Sequence, residues 1–301
     1  MNINKSLHSF HKEFLNFNKL YEDNNLSNSI MISGHDGIGK RTFATHFALF
    51  CLMKDEDRKK YLINYEINDI NLLNQLENNS FLQINFLQKK ENKNFISIEE
   101  IRNVINFCSM QSFNNAPKFI IINNAEHLNI NSSNAILKIL ESPPANTYFI
   151  LLCNTNHKIL DTIKSICRKF LFKLDMHTSN KILNILSISK DHIDFNNIFF
   201  SKYEFHGTKI KKIDYLKKNF SIDFSIKDFF NFCIDDHKKN KNEVAYNIAM
   251  TIAMNNYASL FQSKNNIFKT NFFYNKFLNI IKDSSEMNST FNRLSNYALI
   301  N

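Results

Sequence analysis

The chain has 301 residues, 44% of them hydrophobic, and a formal charge of +9. That length accommodates one large α/β domain with one or two smaller ones. No uncharged apolar run is long enough to span a bilayer, and Met1–Phe10 lacks the apolar core of a secretory signal, so a cytoplasmic protein without a membrane partner is expected. Asn, Lys, Ile and Phe are abundant, whereas Gly (4), Pro (3) and Trp (0) are scarce, a bias typical of AT-rich coding. The positive charge has two readings, a nucleic-acid partner or lysine drift on solvated surfaces. The lysines are spread along the chain, which favours drift. Cys51, Cys108, Cys153, Cys167 and Cys233 form no C-x-x-C pair, so zinc spacing is absent. Their apolar surroundings predict buried thiols in a reducing compartment.

In chain order, the first clear element is a short buried strand over 29–33. Three of the four glycines, Gly34, Gly37 and Gly39, then fall within six residues and are followed by Lys40. A helix is predicted from Lys40 to about Met53, with Phe43, Phe47 and Cys51 at helical spacing. Residues 54–80 are polar and give no assignment. Ser97 and Glu100 have the spacing of a capping box, opening an amphipathic helix with Ile98, Ile101, Val104, Ile105 and Cys108 on one face. Phe119–Ile122 and Tyr148–Cys153 read as buried strands, and Ser132–Glu141 as a helix stopped by Pro143 and Pro144. This alternation predicts an α/β fold, a parallel sheet covered by helices. Beyond residue 174 no strand pattern stands out. Residues 175–215, which hold Gly207, and residues 222–301 both read as helical, and the break near 174 is better marked than the one near 215.

The strand, the glycine cluster and the helix together fit G-x-x-x-x-G-K. In such a loop the backbone N–H groups and the helix N-terminus cradle phosphates while the lysine reaches the terminal ones. Gly34, Gly37, Gly39, Lys40 and Thr42 are the candidate nucleotide-binding residues. The next position should carry the hydroxyl that binds Mg²⁺, but it is Arg41. Thr42 comes one residue late, rotated by about 100° on a helix. The strand that should end in metal-holding carboxylates ends instead in Asn123 and Asn124. Glu126 lies further along the chain than a replacement should. An amide neither offsets the charge of Mg²⁺ nor acts as a base, so no catalytic residue and no metal site are predicted. Whether Lys40 and the glycines hold ATP or ADP without hydrolysis or hold nothing is left open by the spacing, and no cofactor is required.

Four segments occur in order: Ile120–Leu128, Ser133–Pro144, Tyr148–Asn154 and Thr162–Arg168. Across about residues 28–174 the chain resembles the clamp-loader ATPases of bacterial DNA polymerase III, and most of all the delta-prime subunits. The Asn134–Pro144 helix is specific to that family and its relatives. The resemblance implies an AAA+ P-loop core (1–174), a helical lid (175–215) and a helical collar (216–301) within a five-subunit ring. The implied partners are gamma or tau and delta subunits, with the sliding clamp and primed DNA reached through the complex. The implied role is that of a stator, non-catalytic on its own. The alternatives are an active ATPase of the gamma or tau kind or another P-loop ATPase.

The sequence also departs from that family. The Ser-Arg-Cys triplet that offers an arginine to a neighbour's ATP is here Ser165, Ile166 and Cys167. Either that contact is lost, which is favoured, or Arg168 replaces it. The cysteine zinc module of many relatives is absent from residues 54–80, and the lid motif is reduced to His206, Gly207, Thr208 and Lys209. Asn154 falls at the position that senses the γ-phosphate in active relatives, or is a polar residue satisfied by backbone. Direct DNA binding has no helix-turn-helix, zinc or aromatic-basic signature to support it.

Overall fold

The computed structural model describes residues 4–69, 72, 73, 75, 82–90, 93, 95–110, 116–186, 199–201, 203–219 and 226–263. The helical expectation for 222–301 thus falls partly outside the described residues. Contacts divide the chain into two compact units, Met1–Ile182 and Leu183–Asn301.

The first unit is built on five strands, β1 (Ser29–Gly34), β2 (Ile84–Leu87), β3 (Lys118–Ile122), β4 (Thr147–Asn154) and β5 (Arg168–Leu171). They lie in the order β2-β3-β4-β1-β5, and every pairing is parallel. The three interior strands are the apolar runs expected from sequence. A parallel sheet covered on both faces needs such continuous burial. The edge strands β2 and β5 are four residues each, and β5 is largely exposed, so neither carries a long apolar signal.

Helices α1 (His11–Glu22) and α2 (Lys40–Leu52) cover one face of the sheet, and α3 (Asp55–Asn64) packs on them through Tyr61, which meets Phe14 and Phe50. There Phe14 and Phe17 of α1 meet Phe43 and Phe47 of α2 edge-on, and Phe47 meets Phe119 of β3. Edge-to-face rings gain from the quadrupole beyond their burial, which suits a chain rich in Phe. His46 is buried in this layer, with Nδ1 2.7 Å from the Tyr61 hydroxyl and Nε2 2.9 Å from the Asn4 carbonyl.

The opposite face carries α4 (Ile98–Ser109), α5 (Ile130–Glu141) and α6 (Asp161–Ile166). Ile101, Val104, Ile120, Ile136, Phe149 and Leu151 are buried together there. Both halves of the capping box at α4 form: Ser97 N donates to Glu100 Oε2 (2.7 Å) and Glu100 N to Ser97 Oγ (3.4 Å). At the other end of α4, the buried Lys118 donates to the carbonyls of Phe107 (2.9 Å) and Met110. A cation is favoured there by the helix dipole. α5 starts two residues before the expected Ser132 because Asn129 caps it, its Oδ1 accepting from Ser132 N at 2.8 Å.

α7 (Met176–Leu186) contains the division between the units. The second unit holds α8 (His206–Asn219), α9 (Ile226–Asn240) and α10 (Glu243–Ser263), with no strand among its described residues. Phe199, Leu216, Phe229, Cys233, Ala245 and Ile248 form its core. Residue 174 lies in the extended segment between β5 and α7, whereas residue 215 lies inside α8, whose Leu216 belongs to that same core. Among the described residues no helix is long and apolar enough to cross a membrane.

Candidate nucleotide site at the phosphate loop

β1 ends at Gly34 and α2 begins at Lys40, so the loop sits at the carboxyl edge of the sheet beside β4. Ligands of open α/β sheets bind at this edge. Gly37 (φ 76°) and Gly39 (φ 100°) occupy the left-handed region, where a side chain would be strained. Gly34 is required for another reason. A Cβ there would lie 2.6 Å from Ile38 Cδ1 and 2.7 Å from the carbonyl oxygen of Phe172. The loop is therefore packed against the segment that follows β5.

Lys40 Nζ donates to the carbonyls of Gly34 (2.8 Å) and His35 (2.7 Å). The loop's own oxygens thus hold the ammonium that would reach a phosphate. Arg41 turns towards the sheet edge. Its Nη1 donates to Gln88 Oε1 (3.1 Å) and its guanidinium lies 5.7 Å from the centroid of the Phe86 ring. Burial depresses the pKa of the group. Partly buried Thr42 follows on the next position of α2.

At the end of β3, Asn123 N donates to the Leu87 carbonyl at 2.8 Å, continuing the ladder to β2. Asn124 has φ 54° and ψ 57° and precedes a 3₁₀ turn over Ala125–His127. Asn tolerates this left-handed geometry better than most residues. The turn returns Glu126 to the sheet, where its Oε2 accepts from Asn154 N at 3.3 Å. Spacing alone placed Glu126 too far along the chain, because it could not show a turn folding back on β4. Asn154 pairs with Gly34 across β4 and β1, and its Oδ1 accepts from Asn156 N at 3.0 Å. Loop, amides and Glu126 are therefore assembled at one edge of the sheet.

The Ser165–Cys167 triplet lies where α6 ends. Ser165 Oγ donates to the Thr162 carbonyl (2.8 Å), and Ile166 packs against the core beneath α4 and α5. Cys167 is buried, which pushes its thiol up to about 11. Arg168 sits at the start of β5, with Nη1 3.2 Å from the Asn25 carbonyl and its guanidinium 5.6 Å from the Phe170 centroid. In this arrangement Arg168 is engaged within its own chain. The five cysteines are free and buried. Among the described residues no group of three metal-ligating side chains occurs.

A family model described as DNA polymerase III, delta subunit, matches residues 11–176. A DNA polymerase III subunit delta' of Buchnera aphidicola is 32% identical over 143 residues, 46% of this chain and 42% of that protein. A DNA polymerase III subunit tau of Bacillus subtilis is 30% identical over 148 residues, 49% of this chain and 25% of that protein. The matches therefore span less than half the length of these relatives. Among solved structures, a gamma-subunit-related protein of Thermotoga maritima covers 93% of this chain and 78% of its own at 14% identity and a TM-score of 0.43, a likeness too loose to bear on function. With more than half of its length matched by the family model, on a parallel α/β core, the chain belongs to the clamp-loader family of DNA polymerase III delta-prime subunits.

Proposed function

We propose that this chain is a non-catalytic, stator-like subunit of the replicative clamp loader. In this reading it acts in the cytoplasm beside gamma or tau and delta subunits. The complex loads the sliding clamp onto primed DNA. The observation that carries the reading is the end of β3, where Asn123 and Asn124 occupy both expected carboxylate positions. Phosphoryl transfer needs fixed charge to hold Mg²⁺ against the phosphates and a group to orient the nucleophile. Neutral amides supply neither, and Arg41 adds a cation where a metal-binding hydroxyl is needed. The engagement of Arg168 with Asn25 supports loss of an arginine contact to a neighbouring subunit's nucleotide. We assign residues 1–174 to the ATPase core and the helical remainder to the lid and the collar, without zinc; the expected boundary between those two at 215 would cut α8.

A second reading, an active ATPase of the gamma or tau kind, has one observation in its favour: the return of the Glu126 carboxylate to the tip of β4. Phosphate release by the purified chain with ATP and Mg²⁺ separates the two. The stator reading expects no turnover above background from the chain alone, and turnover by the complex with gamma or tau and delta that is unchanged by Glu126→Gln in this chain. It also expects clamp loading to fail when this chain is omitted. Turnover by the wild-type chain that disappears in Glu126→Gln would establish the second reading instead.

A further inference from the structure

Three groups that a bound phosphate would meet already have acceptors within the chain. Lys40 Nζ is held by the Gly34 and His35 carbonyls, and the Asn154 N–H by Glu126 Oε2. Arg41 Nη1 is held by Gln88. Only one of these acceptors is an anion, the partly buried Glu126 carboxylate.

Its position is defined by the register. Gly34 opens the loop and lies beside Asn154 at the tip of β4. Glu126 closes the free N–H at that tip, on the side of β3. In a loop of this kind the backbone holds the inner phosphates, and the lysine reaches the β- and γ-phosphates. The terminal phosphate then lies beyond Lys40, towards the tips of the strands next to β1. The buried Cys153 thiol reports the same neighbourhood. Burial raises its pKa first, the Glu126 carboxylate raises it further, and the Lys40 ammonium opposes the rise.

We propose that Glu126 stands in for the terminal phosphate and makes the loop selective for a nucleoside diphosphate over a triphosphate. The inference rests on the loop being a nucleotide site that does not hydrolyse. A γ-phosphate brought to the tip of β4 would place its charge against a fixed, partly buried carboxylate. Like charges at short range there repel strongly, because solvent screens them poorly. Asn123 and Asn124 hold no metal that could offset the repulsion. A diphosphate ends before the carboxylate and needs only Lys40 to turn from the loop carbonyls to its oxygens.

The test is calorimetric titration of the full chain with ADP and with ATP, with phosphate release followed in the same samples. The expected result is ADP binding about tenfold tighter than ATP, a gap of ~1.4 kcal/mol. In Glu126→Gln the ratio should fall to about threefold or less through a gain in ATP affinity, since the neutral amide removes the repulsion. Glu126→Asp, which draws the carboxylate back, should leave part of the ratio and decides the matter if the Gln variant does not fold. Lys40→Ala should abolish the ADP signal. Equal or tighter ATP binding by the wild type, an unchanged ratio in both Glu126 variants, or no binding of either nucleotide overturns the proposal. ADP binding that survives Lys40→Ala overturns it too. Turnover by the wild type would instead break the functional reading beneath it, so the two failures are distinguishable.

Discussion

The two units bury charge in different ways. In the first unit the sheet interior is apolar and the polar chemistry collects where strands end. Lys118 caps α4 from the start of β3, and Asn123, Glu126 and Asn154 cluster where β3 and β4 stop. In the second unit a lysine lies in the interior itself. Lys212 on α8 is 1% exposed, and its Nζ donates to Glu204 Oε1 (2.7 Å), Thr251 Oγ1 (2.7 Å) and the Phe199 carbonyl (3.3 Å). Sheet ladders satisfy backbone groups regularly, so a sheet unit can keep its polar side chains at the edges. A helical unit has no such ladder between its elements. Here one ammonium joins the segment before α8, α8 itself and α10. The comparison teaches that the first unit depends on register and the second, among its described residues, on polar networks such as the one buried around Lys212.

Breaking that network should have the largest effect. Lys212→Ala leaves the partly buried Glu204 without its cation, a loss of about 3 kcal/mol. Hydrogen exchange should show amides of α8 and α10 losing protection while β3 and β4 keep theirs. Joint replacement by Lys212→Met and Glu204→Gln should recover much of the loss, because no unpaired charge then remains. Uniform loss of protection in both units would erase the contrast.

A titration sharpens the comparison from the other side. Burial holds the His46 imidazole down at about 4, outweighing the opposing effect of its bond to the Asn4 carbonyl. A group whose folded pKa is lowered binds more protons when unfolded, so its contribution is complete above about pH 6.5 and falls as pH drops towards 4. The expected loss is about 3 kcal/mol, levelling off below pH 4. Denaturation midpoints of wild type and His46→Gln across that window measure it. Parallel pH curves for the two proteins would show that the buried imidazole has no such role.

The smallest expected effect is at the capping box. Ser97→Ala removes one acceptor for the orphan amides of α4 and should cost about 1 kcal/mol. Exchange at Glu100 N–H should report it, with little change at α8–α10. A loss several times larger would mean that the cap also organises the Glu126 turn, through the Ile96 and His127 backbone bond of 2.9 Å.

Among these features, the ones readable in advance had local signatures. β1, β3 and β4 are continuous apolar runs, the glycine spacing gives the loop, and Ser97 with Glu100 gives the cap. α1, β2, α6 and β5 carried no signature strong enough. β2 and β5 are short edge strands, and the phenylalanines of α1 become meaningful only against α2 and the sheet. The site divides in the same way. The amides at 123 and 124 and the arginine at 41 were visible as residue types. The return of Glu126 to Asn154 and the anchoring of Arg41 on Gln88 were not.

By itself the sequence determined the parallel α/β core, the glycine-rich loop and the absence of carboxylates at the end of β3. Each follows from residue type and spacing within a short stretch of backbone. Only the tertiary structure decided which acceptor holds Lys40, where Glu126 comes to rest and that Lys212 is buried. Those depend on segments distant in the chain meeting at one point, and spacing along a single element does not encode such meetings.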